Sequence, residues 1–173
     1  MKAQAVVWIT GLPSSGKSAF AQRLRSRLIN MGKPCAVLDG DDVRDALVAR
    51  PGYSPEDRDA FYETLARLAA LLARQGIVAI VAATSHRAVY RDRARELAPQ
   101  FIEVYIQTPL QECMQRDSKG LYARARSGTA PELPGIAEDY EAPLNPDIVA
   151  SGGFDDRAVE GVLAVLPSNG QAA

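Results

Sequence analysis

Short apolar runs rich in β-branched residues alternate along the chain with longer segments whose apolar positions recur at helical spacing. Ala5–Thr10, Cys35–Leu38, Ile77–Ala83 and Phe101–Gln107 read as continuous apolar strands of the kind buried on both faces, with Ile148–Ala150 a weaker fifth. Helical patterns fill the gaps. Lys17–Met31 stops at Gly32, with Pro34 behind it. Pro55–Gln75 opens with Ser54, Pro55 and Asp57, an N-cap, a first-turn proline and a capping-box acid, and stops at Gly76. Further helices are predicted over Ala88–Ala98, from Thr108-Pro109, and after Asp155. Such alternation predicts an α/β fold: a parallel sheet covered by helices on both faces.

A length of 173 residues leaves room for one domain, expected to span 1–173, and no repeat or low-complexity block divides it. Lys119–Pro146 departs from the scheme, with four prolines, three glycines and no apolar period. It reads as a long loop, and a structureless stretch of that length is either a functional lid or binding loop or a disordered insertion. The tail Pro167–Ala173 is expected to fray.

Charge narrows the function classes. Twenty Lys and Arg against 21 Asp and Glu give −1, so no global field attracts nucleic acid or an acidic membrane, and any anion binding must be local. Arg23, Arg25, Arg27, Arg91, Arg93 and Arg95 have no interleaved aromatic residues and are assigned to solvated helix faces. Cys35 and Cys113 stand outside any metal-binding spacing and read as small apolar fillers in a reducing compartment. Without an apolar run long enough for a membrane span or a cleavable leader pattern at its N-terminus, the chain reads as a cytoplasmic protein.

Gly11-Leu12-Pro13-Ser14-Ser15-Gly16-Lys17-Ser18 matches G-x-x-x-x-G-K-[ST] and lies between a predicted strand and a predicted helix. Its glycines let backbone N–H groups curl around phosphate oxygens, Lys17 reaches the β- and γ-phosphates, and Ser18 can ligate Mg²⁺. Nucleoside triphosphate binding follows. A guanine-reading Asn-Lys-x-Asp sequence is absent, and Asp117-Ser-Lys-Gly120 follows a predicted helix rather than a strand, which argues against a GTPase switch. The short chain argues against a motor and leaves small-molecule phosphotransfer, with a non-catalytic nucleotide-binding module as the alternative from another class.

The second strand runs into Asp39-Gly-Asp41-Asp42-Val-Arg44, which puts carboxylates at the carboxyl end of a parallel strand, where open sheets bind ligands. Asp39 and Asp41 are candidates for holding metal and orienting an attacking hydroxyl, and Arg44 for offsetting charge on the moving phosphoryl group. The competing reading is that Asp41 or Asp42 caps the next helix. His86, the only histidine, follows Ser85 at the end of the third strand, where neighbours point to opposite faces and do not form a nucleophile–base pair.

Taken in order, Gly11–Ser18, Leu38-Asp-Gly-Asp-Asp-Val-Arg44, Asp57-Arg58, Ser85, Arg91-Asp-Arg-Ala-Arg-Glu-Leu97, Thr108-Pro-Leu110, Arg116-Asp-Ser-Lys-Gly-Leu-Tyr122, Ala125-Arg126, Gly135-Ile136 and Tyr140-Glu-Ala-Pro143 resemble the adenylylsulfate kinase family over nearly the whole chain. The resemblance implies a P-loop nucleoside-triphosphate hydrolase fold with a five-stranded parallel sheet in the order 2-3-1-4-5. It implies phosphorylation of the 3′-hydroxyl of adenosine 5′-phosphosulfate by MgATP, in a homodimer. By the same resemblance Arg116 joins the phosphate loop at ATP, and Mg²⁺ lies at Ser18 and Asp39. Lys17, Asp39, Asp41 and Ser85 form the catalytic set, Ser85 matching a serine that some members carry phosphorylated. Arg44, Tyr53, Arg58, Phe61, Lys119, Gly120, Leu121 and Leu133 form the acceptor site, and Lys119–Glu141 a lid.

The chain departs from the family pattern on the acceptor side. Phe61 replaces an acceptor-contacting Asn, Glu63-Thr64 a basic pair, Leu133 an aromatic, and His86 a Pro. These departures keep a second acceptor class open, another anionic nucleotide-linked molecule such as a cytidine diphosphate-linked phosphoramidate.

Overall fold

Strands buried on both faces at the centre of one sheet organise the molecule, with β1 and β3 buried at every position. The computed structural model describes residues 2–117, 119–128 and 133–167. Strands β1 (Val6–Thr10), β2 (Cys35–Asp39), β3 (Val78–Ala82), β4 (Phe101–Ile106) and β5 (Ile148–Ala150) pair in parallel in the order β2-β3-β1-β4-β5. Successive side chains of a strand point to opposite faces. On one face Val7, Ile9, Ile80 and Val104 pack against Phe20, Leu24 and Leu28 of α1 (Lys17–Asn30) and Val159 and Val162 of α7 (Asp156–Val165). On the other, Val6, Trp8, Ala79 and Val81 pack against Leu65, Ala66 and Ala69 of α3 (Pro55–Arg74) and Tyr90 and Ala94 of α4 (Ala88–Leu97). Of the expected buried strands, β2 is half-buried throughout, because it forms the sheet edge.

The capping signals behave as their chemistry requires. Ser54 Oγ accepts the Asp57 amide at 3.1 Å with Pro55 in the first turn of α3, and Asp155 Oδ1 accepts the Ala158 amide at 3.0 Å at the start of α7. Helices α2 (Gly40–Ala46), α5 (Leu110–Arg116) and α6 (Leu121–Arg126) complete the chain. Asp117 follows α5, as the case against a GTPase motif required. The expectation of a structureless Lys119–Pro146 is corrected by α6 and by a turn closed by a bridge between Pro134 and Glu138. Both oxygens of Asp117 accept amides of the first turn of α6, from Tyr122 at 3.2 Å and Ala123 at 3.0 Å, which satisfies donors that would otherwise be orphaned. The tail expected to fray lies outside the described residues from position 168 onward. Among the described residues, no helix is long and apolar enough to cross a membrane.

One arginine assigned to a solvated face is instead buried. Arg91 donates to Glu103 Oε1 on β4 at 2.9 Å, to the Ser85 carbonyl at 2.6 Å and to the Glu141 carbonyl at 2.6 Å. A carboxylate inside an otherwise apolar strand requires a partner, and Arg91 with Arg95 supplies it. Arg91→Ala leaves Glu103 with the half-exposed Arg95 alone, so we expect a loss of about 3 kcal/mol in chemical denaturation, the lower range for breaking a buried pair. A loss below about 0.5 kcal/mol, the scale of an ordinary surface substitution, contradicts this placement.

Candidate active site

The carboxyl ends of β1, β2 and β3 open into a cleft of about 1000 Å³. Its floor is the phosphate loop. Gly11 has φ 154° and Gly16 φ 106°, and a Cβ on them would meet the Ile106 carbonyl at 2.8 Å and the Gly153 amide at 2.6 Å, so both positions require glycine. Among the described residues no side chain caps α1, and its first turn carries no acidic residue, which leaves the amides at its positive end for an anion. Lys17 Nζ donates to the Gly11 and Leu12 carbonyls at 3.0 and 2.8 Å. Desolvation lowers Lys17 to about 8, opposed by the negative charge of Asp39 and Asp41, so the ammonium carries its charge at neutral pH.

Asp39 does two jobs with one carboxylate. Oδ1 accepts the Asp41 amide at 3.1 Å, which makes Asp39 the N-cap of α2, and Oδ2 accepts Ser18 Oγ at 2.5 Å. The cap is therefore Asp39, the last residue of β2, and neither Asp41 nor Asp42. Asp41 instead pairs with Lys119, two residues before α6, and that pairing holds the lysine pKa up.

A second cationic pocket opens into the same cleft. The Arg44 guanidinium lies 3.8 Å from the Phe61 ring centroid and 4.7 Å from that of Tyr53, and it donates to the Pro51 and Gly52 carbonyls at 3.2 and 2.8 Å. Arg58 Nε donates to the Tyr53 carbonyl at 2.9 Å, and its Nη1 pairs with Glu138, in the turn bridged by Pro134 and Glu138. Both guanidinium groups are almost wholly buried in a site walled by aromatic rings, and both are paired, Arg58 with the Glu138 carboxylate and Arg44 with backbone carbonyls.

Comparison with known proteins decides what this pair of subsites belongs to. The sequence model of the adenylylsulphate kinase family matches residues 3–151. The chain belongs to that family. It is 46% identical over 146 residues to the adenylyl-sulfate kinase of Paraburkholderia xenovorans, covering 84% of this chain and 82% of the relative, and 40% identical over 164 residues to that of Vibrio vulnificus, covering 94% and 78%. The Mycobacterium tuberculosis APS kinase CysC, solved in complex with AMPPNP and APS, superposes with a TM-score of 0.86 at 38% identity, covering 94% of this chain and 97% of that one.

Among the adenylylsulfate kinase residues expected from sequence, the cleft is lined by Pro13, Ser14, Gly16, Lys17, Ser18, Asp39, Asp41, Arg44, Tyr53, Arg58, Phe61, Arg116, Lys119, Leu121 and Leu133. Gly11, Leu12, Ser15 and Gly120 stand behind this wall. Leu12 packs with Cys113, Tyr122 and Leu133, the Ser15 carbonyl accepts Thr108 Oγ1 at 2.8 Å, and Gly120 is the left-handed residue before α6.

Ser85 corrects an expectation. Its hydroxyl is fully buried and closed into a network, accepting Trp8 Nε1 at 2.9 Å and lying 3.1 Å from Thr10 Oγ1, while its amide donates to Tyr62 Oη at 2.9 Å. It does not line the cleft; Thr84 and His86 on either side of it do. Sequence reasoning also missed Phe154, an aromatic 76% exposed in the cleft wall near Gly16, and Glu138 as the partner of Arg58. An exposed phenylalanine after a Gly-Gly turn was the available signal for the first. The second depends on where the lid folds and left no local signal.

Proposed function

We propose that this chain transfers the γ-phosphoryl group of ATP to the 3′-hydroxyl of adenosine 5′-phosphosulfate. One observation carries the reading: a single cleft joins a phosphate loop to a second, buried cationic pocket, so two anionic nucleotides can meet over the Asp39–Asp41 carboxylates. The bond from the γ-phosphorus to ADP breaks as the bond to the 3′-oxygen forms, and the hydroxyl proton passes to a neighbouring carboxylate. Lys17 offsets charge on the transferred group, and Asp41 orients the attacking hydroxyl from its pairing with Lys119. Arg44 and Arg58 hold the acceptor's anionic groups, Tyr53 offers a ring for its base, and Arg116 and Phe154 face the donor. A loose transition state draws more on such positioning than on a strong base.

Mg²⁺ fits the donor set. Ser18 Oγ and Asp39 Oδ2 offer one hydroxyl and one carboxylate, the sparse protein set of an ion whose other ligands are phosphate oxygens and water. Among the described residues, no cluster of three or more acidic, His or Cys side chains forms a self-sufficient metal site. Bound with ATP, Mg²⁺ would neutralise developing charge on the β- and γ-phosphates. Asp39→Ala is expected to raise the Mg²⁺ concentration for half-maximal rate by about tenfold, as one lost carboxylate ligand would. It also removes the α2 cap, at about 1 kcal/mol of stability. An unchanged Mg²⁺ requirement assigns the metal elsewhere.

A homodimer and a cytoplasmic location belong to the same proposal. The direct test of the reaction is the product formed from ATP and adenosine 5′-phosphosulfate: a new phosphate on the 3′-oxygen, seen by phosphorus NMR, supports it. Hydrolysis of ATP with the acceptor unchanged overturns it.

A further inference from the structure

His86 stands where the wall of the cleft meets the lid. It is buried, with its Nε2 3.2 Å from Glu138 Oε2 and 3.4 Å from Arg58 Nη1, and its ring edge-on to Tyr90. Its Nδ1 has no hydrogen-bond partner among the described residues, so Nε2 makes the ring's side-chain polar contacts. Burial and the charge of Arg58 hold the imidazole pKa down, to about 4, so the ring is neutral at pH 7 and can carry a proton on Nε2 for donation to Glu138.

Glu138 therefore has two partners on one oxygen, Arg58 and His86. An anionic acceptor that takes Arg58 must displace Glu138 from it. Left without a partner, that carboxylate would be a partly buried charge beside an arriving anion, repelling it. A neutral imidazole whose Nε2 already lies 3.2 Å from that oxygen can offer it an N–H once Arg58 turns to the acceptor, which removes this penalty without adding a charge of its own. We propose that His86 is a positioning residue for acceptor binding: it keeps Glu138 docked through Nε2–H when the acceptor takes Arg58, so the lid stays closed over the occupied pocket. This rests on the reading of Arg58 as an acceptor contact and adds to it how the lid carboxylate is accommodated.

The test is a double-substitution cycle with full kinetics for both substrates. His86→Leu, which keeps bulk but lacks a donor, is expected to raise the adenosine 5′-phosphosulfate KM by roughly tenfold, with kcat and the ATP KM changed by less than about twofold. His86→Gln, whose amide can still donate to Glu138, is expected to recover most of that loss. In a Glu138→Gln background no carboxylate remains to be accommodated, so adding His86→Leu is expected to move the acceptor KM by less than about twofold. A His86→Leu effect of equal size in both backgrounds, or one shared with ATP, overturns the proposal and leaves a packing role. Arg58→Ala, measured alongside, separates the two levels. If it raises the acceptor KM while His86 and Glu138 show no coupling, only this inference falls; if it leaves the acceptor KM unmoved, the acceptor site itself is misassigned.

Discussion

Lys17→Ala is expected to lower kcat by about a hundredfold to a thousandfold, the scale of removing one preorganised charge from a developing transition state, while the fold stays intact. Among the described residues Lys17 Nζ donates to the Gly11 and Leu12 carbonyls, and the loop it closes is held independently by β1, α1 and the close approach of Gly16 to Gly153. Thermal melting should therefore change little while turnover disappears. Near-normal turnover would remove the phosphate loop from the mechanism. The pH dependence carries the same signature. With Lys17 lowered to about 8, the free protein loses that charge as pH rises through 8, and bound phosphates favour the charged form. ATP binding above pH 8 should then weaken and take up protons, which calorimetry in buffers of different ionisation enthalpy reads directly.

Arg58→Ala is expected to raise the KM for the acceptor by roughly a hundredfold and that for ATP by less than about threefold. The substitution removes the cation that an acceptor phosphosulfate would meet and strands Glu138 with His86 alone, so attraction is lost and repulsion added together. Equal effects on both substrates would place Arg58 outside the acceptor half. Arg44 differs in kind, because its guanidinium between Phe61 and Tyr53 also packs the wall, and its removal would mix binding with stability.

Those two residues show which parts of the site the sequence could reveal. The phosphate loop is contiguous, and each of its positions has a reason that survives without tertiary context, down to glycines where a Cβ would strike backbone. The sheet was equally legible, since strands buried on both faces read as apolar runs, and the order β2-β3-β1-β4-β5 follows from the fold family that the motif implies. Asp39 was placed correctly by its position at the end of a strand, but its capping role depended on β2 passing into α2 without an intervening turn. Helix α6 is hidden among glycines and prolines because its N-cap is Gly120 and the carboxylate that takes its first amides, Asp117, lies four residues before it.

Long-range pairing hid the rest. Arg91 looked like any solvated helix arginine, although Glu103 within an apolar strand was a sign that a buried cation must come from elsewhere. Ser85 and His86 do face different ways, Ser85 closing on Trp8 of the central strand and His86 on Arg58 and Glu138, but both lie beyond the end of β3 and Ser85 has φ 37°, so strand alternation is not the reason. What the alternation rule could not supply was the partner of each. The replacements at Phe61 and Leu133 fall in the cleft wall, where Phe61 stacks under Arg44 and Leu133 joins the apolar cluster with Cys113 and Tyr122.

The most direct measurement of the central claim is ADP release by the purified protein with MgATP, comparing adenosine 5′-phosphosulfate with a panel of other nucleotide-linked anions, among them a cytidine diphosphate-linked phosphoramidate. The account predicts a kcat/KM of at least about 10⁴ M⁻¹s⁻¹ for adenosine 5′-phosphosulfate, well above every other acceptor. Silence with adenosine 5′-phosphosulfate and turnover with another member of the panel would contradict it.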